Sequence, residues 1–66
     1  MTLIERLKER KKPMTVKEVA EELGYHIMTI YDWTREGKIP FMRLGGRLKF
    51  DGPTLATWVE DRTLGA

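Results

Sequence analysis

None of the 66 residues is cysteine, so neither a disulfide nor a thiolate metal site can staple the fold. Stability has to come from packing alone, and a chain this short has room for one domain with a modest core. Charged residues make up 33% of the composition, and no apolar run approaches the ~18 residues that a membrane-spanning helix requires. At the N-terminus, MTLIERLKERKK is interrupted by Glu5 and Glu9 where a secretory signal would be continuously apolar. The expectation is a single domain over residues 1–66 that stays in the cytoplasm and has no membrane partner.

Local signals divide the chain into short elements. Thr2 with Glu5 matches a capping box, and Leu3, Ile4 and Leu7 recur at helical spacing, which predicts a short helix ending before Pro13. A second box, Thr15 with Glu18, opens the stripe Val16, Val19, Ala20 and Leu23, which stops at Gly24. After a turn of about three residues, in which His26 is a turn or N-cap residue, the pattern predicts a helix from Ile27 to Glu36. Gly37 in the left-handed conformation would close it, and Pro40 prevents its resumption. At about 100° per residue, Ile30, Trp33 and Gly37 point inward while Met28, Tyr31, Asp32 and Arg35 share the outward face. Gly52-Pro53 suits an N-cap followed by a first-turn proline, and Leu55, Trp58 and Val59 form the inner face of a last helix ending near Arg62. Trp33 and Trp58 read as core anchors, and Thr63 to Ala66 as a frayed tail.

Between Phe41 and Phe50 lies FMRLGGRLKF, a hairpin pattern with two registers. A two-residue Gly-Gly loop sets Leu44 opposite Arg47 and Arg43 opposite Leu48, mixing every pair. A three-residue loop, Gly45-Gly46-Arg47, pairs Leu44 with Leu48, Met42 with Phe50 and Arg43 with Lys49, which makes one face wholly apolar. The second register is the expected one. It places two like charges opposite each other, a repulsion of ~0.2–1 kcal/mol that a neighbouring polyanion would cancel.

Charge is concentrated in the same region. Between Arg35 and Phe50 five cations, Arg35, Lys38, Arg43, Arg47 and Lys49, face one acid, Glu36. The resulting +4 exceeds the +2 of the whole chain, so the remainder is net acidic. Lys8, Arg10, Lys11 and Lys12 read as a solvated surface.

Several pieces then follow in order: TVKEVAEELG at Thr15 to Gly24, TIY with Trp33 at Thr29 to Trp33, REGKIP at Arg35 to Pro40, RLGGR at Arg43 to Arg47, and a closing Leu55, Trp58, Val59 and Glu60. Over Met14 to Glu60 this resembles the small winged helix-turn-helix DNA-binding domains of the excisionase and MerR-like group. The resemblance implies a mainly α fold with a β-hairpin wing: three core helices, one two-stranded hairpin and an additional N-terminal helix within residues 1–13, with 61–66 as a tail. It implies duplex DNA as partner, with helix 27–36 in the major groove and hairpin 41–50 on the backbone or an adjacent minor groove. Ile27, Met28, Thr29, Tyr31, Asp32 and Arg35 would form the recognition surface, and Lys17, Lys38, Arg43, Arg47 and Lys49 the wing and backbone contacts. Ile27 and Met28 can touch thymine methyls, Asp32 can accept from a cytosine amino group, and Arg35 can reach guanine or a phosphate. Such families act as recombination directionality factors or transcriptional regulators, as dimers or in cooperative arrays, sometimes with a recombinase or other protein partner, which would place the chain on the nucleoid.

Two other classes compete. An enzyme would need a nucleophile with its base, a metal cluster or a phosphate-cradling loop, and the chain has one histidine and a Gly-Gly that belongs to a hairpin. No catalytic residue, metal site or cofactor is therefore expected. A protein-interaction module on the same fold would use Ile27, Met28 and the N-terminal helix, whose Leu3, Ile4 and Leu7 would dock on a partner.

Overall fold

Both predicted capping boxes form in the computed structural model, which describes residues 2–64. In the first, the Thr2 amide donates to Glu5 Oε1 at 3.0 Å while the Glu5 amide donates to Thr2 Oγ1 at 3.2 Å. It opens α1, Leu3–Lys8. Six residues cannot hold a helix on their own, so α1 depends on what it packs against. Leu7 is fully buried, with Leu3 and Ile4 partly buried against the same core. Arg6 pairs with Glu22 at 3.0 Å, Arg10 with Glu18 at 3.2 Å and Lys8 with Glu60 at 3.8 Å. Exposed pairs are each worth ~0–1 kcal/mol, whereas burying a leucine contributes roughly 1.5–3 kcal/mol. Leu7 is thus the anchor, and the helix lies on its own core.

The second box opens α2, Val16–Leu23, which ends at Gly24 with φ of 77°. The Gly24 and Tyr25 amides both donate to the Ala20 carbonyl, at 2.9 and 3.1 Å. Three residues later α3 runs over Ile27–Arg35, its first turn capped by His26 Nδ1, which accepts from the Met28 amide at 3.1 Å. Its C-terminus closes as a Schellman turn: the Lys38 amide reaches the Trp33 carbonyl at 2.8 Å and the Gly37 amide the Thr34 carbonyl at 3.2 Å. Gly37 is left-handed as expected, with φ of 69°. It is exposed rather than inward-facing, because it lies past the end of the helix and helical periodicity no longer applies to it.

The hairpin departs from its expected register. Strands β1, Met42–Leu44, and β2, Arg47–Lys49, pair antiparallel with Met42 opposite Lys49, Arg43 opposite Leu48 and Leu44 opposite Arg47. Gly45 and Gly46 both have positive φ, 60° and 79°. Two consecutive left-handed residues make a two-residue turn whose twist matches that of the strands it joins. This turn chemistry outweighs the tidier apolar pairing. Arg43 and Lys49 consequently lie on opposite faces, and the expected like-charge opposition does not exist.

The base of the hairpin is built into the core. Phe50 and Met14 are fully buried and exchange two backbone hydrogen bonds, at 2.7 and 2.9 Å. The final helix α4 spans Gly52–Leu64, so Thr63 and Leu64 belong to it, while the expected fraying of Gly65 and Ala66 lies outside the described residues. Its cap is Asp51, not Gly52: the Asp51 carboxylate accepts from the Thr54 amide at 3.0 Å and the Thr54 hydroxyl at 2.7 Å. Gly52 has a different role. A Cβ there would collide with the Leu7 carbonyl oxygen and the Arg10 side chain, so the glycine sets the close approach of α1 and α4. Around the shared core of Leu7, Met14, Val19, Ile30, Phe50, Leu55 and Ala56, every helix and the hairpin contributes a fully buried side chain.

Candidate nucleic-acid interface

Helix α3 has two different flanks because its inner residues fix its rotation. Ile30 and Thr34 are buried, the Thr34 hydroxyl donating to the Tyr31 carbonyl at 2.7 Å. On one side Ile27 and Tyr31 line a cleft of about 560 Å³ with Thr15, Val16 and Lys17 from the start of α2 and Arg43, Gly46, Arg47, Leu48 and Lys49 from the hairpin. Four cations thus converge on a lining that contains no carboxylate. Among the described residues none of the four makes an ion pair or side-chain hydrogen bond. Thr15 is fixed by its capping box, in which the Thr15 amide donates to Glu18 Oε1 at 2.9 Å. That bond, helped by Arg10, holds the Glu18 carboxyl below its ordinary range.

Next to the cleft, the outward face of α3 carries Met28, 55% exposed, and Tyr31, 38% exposed. Tyr31 belongs to both surfaces. Asp32 and Arg35 pair with each other across one helical turn, so this face is close to neutral overall. Ile27 is partly buried against the core, and Thr29 is half-buried.

Lys38 is the one predicted contact that the fold sends elsewhere. Its ammonium lies 3.1 Å from Glu36, and its carbonyl oxygen accepts from Trp58 Nε1 at 2.9 Å and from the Arg62 guanidinium at 3.0 Å. It borders a second cleft, of about 490 Å³, on the other flank of α3, with Leu3, Leu23, Tyr25, Trp33, Trp58, Val59 and Arg62. There the Tyr25 and Trp33 rings meet edge to face at 4.9 Å, Trp33 and Trp58 lie 5.7 Å apart, and Arg62 stacks on Trp58 at 4.2 Å. The two tryptophans are partly buried, packed against the core without being enclosed by it. The sequence reading missed the Trp58–Arg62 stack, whose four-residue spacing on one helix was its available signal.

A helix, a three-residue turn, a second helix and a hairpin beside it make a helix-turn-helix with a wing. A family model described as a helix-turn-helix domain matches residues 13–63. The chain belongs to that excisionase-like helix-turn-helix family. No curated protein and no solved structure matches it significantly. Membership assigns the domain to DNA binding and to a family that is typically not enzymatic. Helix α1 lies outside the matched span. Among the described residues no helix is long and apolar enough to cross a membrane, and no group of histidine, cysteine or carboxylate side chains is placed to hold a metal ion.

Proposed function

We propose that this winged helix-turn-helix is a sequence-specific reader of duplex DNA. Helix α3 enters the major groove, and the hairpin takes the backbone or the adjacent minor groove. The supporting observation is the set of four cations, Lys17, Arg43, Arg47 and Lys49, which have no side-chain partner among the described residues and line a cleft beside the exposed Met28 and Tyr31. Cations with no internal partner suit phosphates, which are the same in every sequence, while the near-neutral face of α3 meets base edges that differ. The biological setting that fits is the cytoplasmic nucleoid. There the protein serves as an excisionase-like directionality factor or a small transcriptional regulator, as a homodimer or cooperative array, with a recombinase or other protein as a further partner. The protein-interaction reading has less to draw on, since Ile27 and the apolar residues of α1 are engaged with the core.

Selection of bound duplexes from a random library at fixed salt tests the proposal, followed by titration of the selected site. Neutralising roughly four phosphates should give a slope of about −3.6 in log K against log salt. A flat salt response would end the DNA reading.

A further inference from the structure

The hairpin register has a consequence for what the wing can recognise. Opposed residues of an antiparallel pair share a face and alternate residues lie on opposite faces. Met42, Leu44, Arg47 and Lys49 therefore occupy one face, aliphatic along β1 and cationic along β2. Leu44 stands next to the turn with 48% of its surface exposed, outside the buried and partly buried core. The turn residues are glycines, so Leu44 and Arg47 are the foremost side chains of the wing. A lone exposed leucine is unremarkable on most surfaces, but this one shares its face with two cations that have no side-chain partner among the described residues, and no carboxylate occurs between Phe41 and Phe50. That charge pattern suits a polyanion rather than an apolar protein surface.

We propose that Leu44 is a specificity-determining residue, contacting the floor of an A·T-rich minor groove while Arg47 and Lys49 hold the flanking phosphates. The proposal rests on the DNA-binding reading above and adds a base preference to it. In the minor groove A·T pairs present only acceptors, whereas guanine adds a 2-amino donor. A leucine methyl lies flush against the first and leaves the second without a hydrogen-bond partner. Narrow A·T-rich grooves also concentrate the negative potential that attracts Arg47.

The test uses the full chain and the duplex obtained by selection, with adenines on the wing side replaced by 2,6-diaminopurine. That base adds the 2-amino group to the minor groove and leaves the major-groove edge of adenine intact. Wild-type protein should lose about tenfold in affinity, the order expected for one buried unmet donor. Leu44→Ala should bind both duplexes equally, and Leu44→Gln, which supplies an acceptor, should tolerate the added amino group. Far-UV circular dichroism confirms that each variant is folded. Equal wild-type binding to the adenine and diaminopurine duplexes, or full discrimination retained by Leu44→Ala, overturns the role of Leu44 while DNA binding stands. Failure to bind any duplex overturns both readings.

Discussion

The two clefts that flank α3 are both lined with cations and have no lining carboxylates, yet their charges are deployed differently. On the Trp33 side, Arg62 lies flat on Trp58 and bonds the Lys38 carbonyl, while the Lys38 ammonium pairs with Glu36. These groups hold the end of α3 against α4. On the Tyr31 side, Lys17, Arg43, Arg47 and Lys49 make no ion pair or side-chain hydrogen bond among the described residues, and the hairpin stands on Phe50 and Met14 instead. Counting charges would rank the regions by degree. Asking what each charge already bonds to separates a structural seam from the surface proposed above to meet DNA.

The contrast can be broken at its strongest point, on the aromatic side. Trp58→Ala removes a large half-buried ring, its hydrogen bond to Lys38 and the platform under Arg62. It should cost about 2–3 kcal/mol in chemical denaturation, somewhat less than the full range for enclosed tryptophans, and leave the salt slope of DNA binding unchanged. A changed slope in folded protein would mean that the seam also touches DNA. On the other flank, Met28→Ala or Tyr31→Ala should weaken the selected duplex by ~1–3 kcal/mol while scarcely affecting scrambled duplex. Paired titrations at one salt concentration measure this, and equal losses on both duplexes would remove α3 as the reader. A smaller effect is expected from Arg47→Ala, which should weaken both duplexes by a similar factor and reduce the salt slope by about 1. Its melting temperature should match the wild type, whereas Arg62→Ala should show the reverse pattern.

The smallest effect sharpens the comparison by acid. Three carboxyls sit below their ordinary range: Glu5 through the Thr2 amide, Glu18 through the Thr15 amide, and Asp51 chiefly through the Thr54 hydroxyl. Each favours the ionised form in the folded state. Their contribution is complete above the unfolded carboxyl values near ~4 and disappears as pH falls through the lower folded values. Melting temperature followed from pH 7 downward should hold until about pH 5 and then decline, and Thr54→Val should make the decline shallower. A decline that begins near neutrality would point to groups other than these caps.

How much of this was legible in the sequence depended on the distance over which each feature is decided. Thr2 with Glu5 and Thr15 with Glu18 are settled within one helical turn, so their spacing was enough. Gly24 and Gly37 followed from the same local rule. The hairpin register was harder, because MRL and RLK satisfy either pairing, and the conformation of two consecutive glycines decides between them. Lys38 lies apart from the other expected cations for another reason. It lies close in sequence to the wing cations, but the Schellman turn and the Trp58 and Arg62 bonds to its carbonyl direct it to the opposite flank. Gly52 looked like a cap, and only the packing of α1 on α4 showed that its missing side chain is the point.

The bridge between Met14 and Phe50 gives the wing a gradient of stiffness. At its base two wholly buried residues share both backbone hydrogen bonds, so their amides open to exchange only when the core itself comes apart. Each strand beyond the two-residue turn is only three residues long, and the tip between them has two side-chain-free glycines in open space. On the DNA-binding reading proposed above, a wing clamped at its base and unencumbered at its tip would let the tip adjust to a groove while its base stays tied to the core.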